Sequence, residues 1–229
     1  MKATPGWYGK LPALGDFARR RLPDSFIERW DAWLQQCLQA SRATLCEGWL
    51  QQFLGAPVWR FLLLPGAMGS AGWAGVLLPS VDRVGRYFPL TVCARLPEST
   101  PLGSSLAELE QWLAELAACA LLGLDADCGP QRLEAALRGL TPPALHAEAM
   151  EPEVLSGLRP VHAGAERQTG LLDGLAARLL PRSLDGESVW WCCDPVQGCT
   201  GFHCSGLPAP QAFAGMLRAM PVLDRSQPA

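Results

Sequence analysis

The chain has 229 residues, 49% of them hydrophobic and 18% charged, with a formal net charge of −3. That balance excludes a disordered chain, and the slight acidic surplus argues against a nucleic-acid binder, which carries a basic face. A chain of this length buries about 70% of its unfolded surface, so its core needs no disulfide or metal staple. The first residues carry Lys2 but no apolar run, so no secretory signal is visible. The nine cysteines are therefore expected to be reduced, mostly buried thiols of a cytoplasmic chain.

In chain order, residues 6–14 are short and aromatic and suit an edge strand or extended arm. Ser25 and Glu28 stand in a capping box, followed by an apolar stripe of Phe26, Trp30, Trp33, Cys37 and Leu38 that predicts a helix to about residue 40. A second helical piece, residues 46–54, stops at Gly55-Ala56-Pro57. Residues 61–79 hold no charge, but Pro65, Pro79 and four glycines divide them into two strand-length runs, which argues against a membrane span. Three buried strands are thus predicted at 58–64, 73–78 and 88–96. Ser105 and Glu108 form a second capping box before a stripe of Leu106, Leu109, Leu113, Leu116 and Ala120. A weaker helix is predicted at 130–138 and an irregular excursion around 141–168. A helix at 170–180, a hairpin of 188–193 with 200–204 and a closing helix at 211–220 complete the pattern. One domain spanning 1–229 is expected, an α/β or α+β layered domain with buried strands covered by helices rather than an all-α bundle.

Candidate chemistries are few. The glycine run at 66–75 invites a phosphate-loop reading, but that chemistry needs a Lys followed by Ser or Thr, and no Lys follows Lys10. A small-ligand or nucleotide-binding enzyme using that cleft is kept as the alternative. Cys192, Cys193, Cys199, His203 and Cys204 are the one metal-like cluster. They lack the CxxC spacing of a zinc knuckle, and adjacent Cys192 and Cys193 point to opposite faces of a strand. His146 and His162 have no nucleophile motif nearby. No cofactor, no metal and no catalytic residue are assigned, and no enzyme activity is expected.

Two polar islands remain, residues 15–21 and 81–87. Asp16 and Asp82 read either as turn and cap residues beside a solvated rim of arginines or, with Arg83 and Arg86, as a recognition surface. The same islands carry a resemblance. Gly9-Lys10-Leu11-Pro12, Gly15-Asp16-Phe17, Leu22-Pro23 and Trp30-Asp31-Ala32-Trp33-Leu34 resemble the opening of the TagF family. So do Trp59-Arg60-Phe61, the block from Gly75 to Leu90 and the late Ser188-Val189-Trp190-Trp191. The resemblance implies a cytoplasmic, non-enzymatic, post-translational repressor of bacterial type VI secretion. It also implies an α/β three-layer sandwich, a central, mostly buried mixed sheet covered by helices, and, as partner, the forkhead-associated scaffold protein of that apparatus. It supplies no catalytic residue. The partner-binding residues expected are Asp16, Asp82, Arg83 and Arg86.

Overall fold

The computed structural model describes residues 4–96, 106–143, 185–194 and 198–219. Among the described residues seven strands form one sheet: β1 (Gly6–Gly9), β2 (Ala18–Arg20), β3 (Trp59–Leu63), β4 (Trp73–Leu78), β5 (Leu90–Arg95), β6 (Glu187–Asp194) and β7 (Gly198–Ser205). Their spatial order is β2-β1-β5-β4-β3-β6-β7. Every pairing is antiparallel, where a mixed sheet is expected from the sequence. Four of the six pairings are hairpins, β1–β2, β3–β4, β4–β5 and β6–β7, whose connections are too short for the crossover a parallel pair needs, while β1–β5 and β3–β6 bring together strands far apart in the chain.

Strand alternation divides the core in two. On one face Trp59, Phe61, Leu63, Trp73, Leu77 and Trp190 meet α1 (Asp24–Leu45), α2 (Trp49–Leu54) and α5 (Phe213–Leu217). On the other, Leu62, Val76, Leu78, Val92 and Trp191 meet α3 (Leu106–Leu122) and α4 (Gly129–Leu137). The sheet is therefore the middle of three layers. Trp30 of α1 is fully buried, lies 5.0 Å from Phe61 and 6.1 Å from Trp190 ring to ring, and donates its indole N–H to Thr91 at 2.7 Å. Gly75 is required because β5 crosses so closely that a Cβ there would lie 2.4 Å from the Cys93 Cβ.

One expectation is met and three need correction. The uncharged stretch at 61–79 is β3, a turn and β4, and no described helix is long and apolar enough to cross a membrane. The Ser25–Glu28 box is not made: Pro23 occupies the N-cap without a side-chain cap, and Ser25 falls inside the first turn. The charged piece Ala18–Arg20 is a strand, tolerated because it is a short edge with exposed arginines. The thiols are not all reduced, because register sets Cys193 directly opposite Cys199 and the two form a disulfide with Cα atoms 4.0 Å apart. Ser105, the excursion at 144–168 and the helix expected at 170–180 lie outside the described residues.

Candidate functional site

β4 ends at Leu78, and the chain then makes an eleven-residue loop before β5. Val81 bridges Tyr87, the Asp82 N–H donates to the Arg86 carbonyl at 3.1 Å, and Gly85 takes a φ of +85° that L side chains rarely adopt. Asp82 is the pivot. Its Oδ1 accepts the amides of Val84 (3.1 Å) and Arg86 (2.9 Å). Its Oδ2 accepts from Lys10 Nζ at 2.9 Å and from Arg86 Nε at 2.7 Å. Burial alone would raise this carboxyl, but the donors from Lys10 and Arg86 prevail and hold it well below the usual carboxylate range.

The second island closes onto the first. The Arg83 amide donates to the Leu14 carbonyl at 2.8 Å, and Arg86 Nη2 donates to the Gly15 carbonyl and lies 3.8 Å from Asp16 Oδ1. Asp16 Oδ1 in turn accepts the Phe17 amide at 2.8 Å. Lys10 Nζ stands 4.8 Å from the centre of the Phe17 ring, which packs edge-on against Phe88 at 4.8 Å. Ser80 Oγ ties the loop back to the Lys10 carbonyl at 2.7 Å. Residues some seventy positions apart thus make one surface.

Of the four residues singled out from sequence, Asp16, Arg83 and Arg86 are exposed, whereas Asp82 is 3% exposed and turned inward. Lys10 is the missed member: it is 4% exposed and balances Asp82, yet nothing in its sequence neighbourhood marks it as buried. The ion-pair arithmetic leaves Arg86 shared between Asp82 and Asp16, and Arg83 with no ion pair among the described residues. The Arg86 guanidinium is fixed by Asp82 and the Gly15 carbonyl and Arg83 is exposed beside it, so the site can meet an anionic or hydrogen-bonding surface. It assembles no nucleophile beside a general base.

The other sequence candidates lie elsewhere. The glycine run forms the β3–β4 turn, where the Gly66 amide is used by the Gly69 carbonyl at 2.7 Å and the Ala67 amide by Leu64 at 3.0 Å. Amides committed in this way do not cradle phosphate. The turn borders a cleft of about 540 Å³ with Arg21, Phe26, Arg29, Trp73 and Arg95 on its walls. Arg21 is engaged there with Glu134 through two contacts of 2.8 and 2.9 Å, and Arg29 with the Met68 carbonyl at 3.0 Å. In the Cys/His cluster, Cys192 faces the α1 side of the sheet and Cys193 the α3 side, and His203 Nδ1 lies 3.5 Å from Glu187 Oε2. Among the described residues no three His, Cys, Asp or Glu side chains converge as a metal site would need. His146 and His162 lie outside the described residues.

Comparison with known proteins supplies the remaining information. A family model described as "TagF N-terminal domain, Type VI secretion system-associated" matches residues 6–140, which hold both polar islands. The crystal structure of PA0076 from Pseudomonas aeruginosa PAO1, at 2.05 Å resolution, is similar over nearly all of both chains. It is 33% identical, covers 98% of this chain and 99% of its own, and gives a TM-score of 0.72. No curated protein matches the chain.

Proposed function

The chain belongs to the TagF family of type VI secretion-associated proteins, and on that premise we propose that it is a cytoplasmic, post-translational repressor of type VI secretion. In this reading it performs no chemistry and acts by binding the forkhead-associated scaffold protein of the apparatus. The family match carries the proposal, and the joined islands supply a surface consistent with it. Arg83 and Arg86 are held by backbone and carboxylate contacts in a loop at the end of a rigid sheet, an arrangement that suits binding better than turnover. Asp82 and Lys10 serve as the buried support of that loop, and Asp16 as its exposed acidic edge.

The test has two arms. Deleting the chain should raise secretion, and the purified protein should bind purified scaffold protein in a calorimetric titration. Loss of secretion on deletion would instead identify a structural component of the machine. The cleft beside the glycine turn keeps a second reading in view, an enzyme for a small ligand, because about 540 Å³ is the size of an ordinary ligand pocket. A thermal-shift screen separates the two, since a ligand bound tightly to the native state raises the unfolding midpoint by mass action.

A further inference from the structure

The six large hydrophobic side chains most exposed among the described residues are Phe17, Leu50, Leu54, Val84, Leu121 and Leu122, between 38% and 65% exposed. Two of them, Leu54 and Leu121, line one groove. Leu50 and Leu54 lie one turn apart on α2, Leu121 and Leu122 end α3, Val84 tips the 79–89 loop and Phe17 sits beside Lys10. The end of α2, the end of α3 and the start of the 79–89 loop meet where β3 begins and β4 stops. Between them runs an apolar groove of about 370 Å³ whose walls include Leu54, Val58, Leu78, Val81, Leu121 and Leu124. Clustered exposed apolar surface of this kind marks an interaction site, whereas single exposed leucines need no explanation.

The groove has a charged neighbour of one sign. Val81 on its wall stands two residues before Arg83 in the same loop, and Pro12 on its wall opens the turn whose Leu14 carbonyl fixes the Arg83 amide. Both local carboxylates, Asp16 and Asp82, are taken by Arg86, and Asp82 also by Lys10. Among the described residues Arg83 is the cation of this loop that has no ion pair. We propose that this end docks an amphipathic segment of another protein, which seats apolar side chains in the Leu54–Leu121 groove and sets a carboxylate against Arg83. The inference rests on the partner-binding reading above and adds the chemistry of the bound segment.

Full-length Leu54→Asp, Leu121→Asp and Arg83→Glu variants would be titrated calorimetrically with purified scaffold protein, alongside their unfolding midpoints. All three side chains are exposed, so the midpoints should hold. Each variant should weaken binding by tenfold or more, and Arg83→Glu should also flatten the dependence on salt. Wild-type affinity in both leucine variants with loss in Arg83→Glu would make the loop the interface and overturn the groove. If the wild-type chain does not bind the scaffold protein, the partner assignment fails, and a photo-crosslinking residue at position 54 in cells decides the groove separately. An adduct to a peptide of another protein that carries apolar residues beside Asp or Glu sustains the inference. No adduct, an adduct to a peptide without an acidic residue, or an adduct to a second copy of this chain overturns it.

Discussion

Asp82 combines two jobs that pull in opposite directions on its proton. Enclosure disfavours its charge, while two amides and two cationic side chains favour it, and the cations prevail. Its native pKa is lowered, so the ionised form stabilises the fold above the ordinary carboxylate pKa of about 4, and that stability is lost as pH falls toward the lowered native value. Asp82→Asn should therefore lower the unfolding midpoint at pH 7 and remove part of the wild-type acid sensitivity below about pH 4, read by thermal melts across pH. Arg83→Ala should leave the midpoint unchanged and weaken scaffold binding by about 1–2 kcal/mol. Equal midpoints for Asp82→Asn and wild type would show the internal pairing to be energetically idle. At Gly75 the limit is space: the Cβ of an alanine would meet the Cys93 Cβ at 2.4 Å and the Val92 carbonyl at 2.5 Å. Neither neighbour is a flexible side-chain end, so Gly75→Ala should cost about 1–3 kcal/mol or more in chemical denaturation.

At the scale of elements, the β6–β7 hairpin and the α3–sheet seam are the informative pieces. Cys193 and Cys199 close a short loop, and replacing both by Ser should lower stability by about 2 kcal/mol. The same pair sets the thiol count: the seven other cysteines should titrate in denaturant without reductant and all nine after reduction. In the native protein the exposed Cys46 should react early, while burial pushes the Cys37 and Cys93 thiols up and keeps them inert. Beneath α3, Arg60 of β3 and Glu110 form an ion pair of 2.7 Å that lacks hydrogen-bond alignment, and Glu110 also accepts the Trp191 indole N–H at 2.9 Å. Burial raises the Glu110 carboxyl, with Arg60 and Trp191 opposing. Removing Arg60 alone should cost about 3 kcal/mol or more, whereas an apolar pair at both positions should recover most of it in a double-mutant cycle.

For the whole molecule, the family match ends at residue 140 but the sheet does not. β6 pairs with β3, and Trp190 on β6 stacks among Trp30, Trp33 and Phe61, with ring centres 5.3 to 6.1 Å away. A fragment of residues 1–140 would leave the β3 edge unpaired and this aromatic cluster half covered. It should show no cooperative unfolding transition, whereas the full chain should show one, measured by near-ultraviolet circular dichroism during a urea titration.

Much of this architecture was legible from local pattern. The predicted strand at 73–78 matches β4 residue for residue, and the stripes of α1 and α3 are the buried faces that Trp30, Trp33, Leu109 and Leu113 occupy. Continuous apolar runs in β3 to β5 signalled a sheet covered on both sides, because strands exposed on one face alternate. Motif order along residues 9–90 identified the family that the comparison with residues 6–140 supports. Tertiary structure decided the rest. Strand direction, the β2 edge and the Cys193–Cys199 bond follow from pairing register, which no local window encodes. Capping at α1 was lost to Pro23, whose fixed φ fits the turn before the helix. The Lys10–Asp82–Arg86 assembly joins side chains more than seventy residues apart, and which of two acidic residues turns inward depends on whether a buried cation awaits it. Composition and periodicity report what a residue prefers, while burial and charge pairing depend on which neighbours the completed fold brings to it.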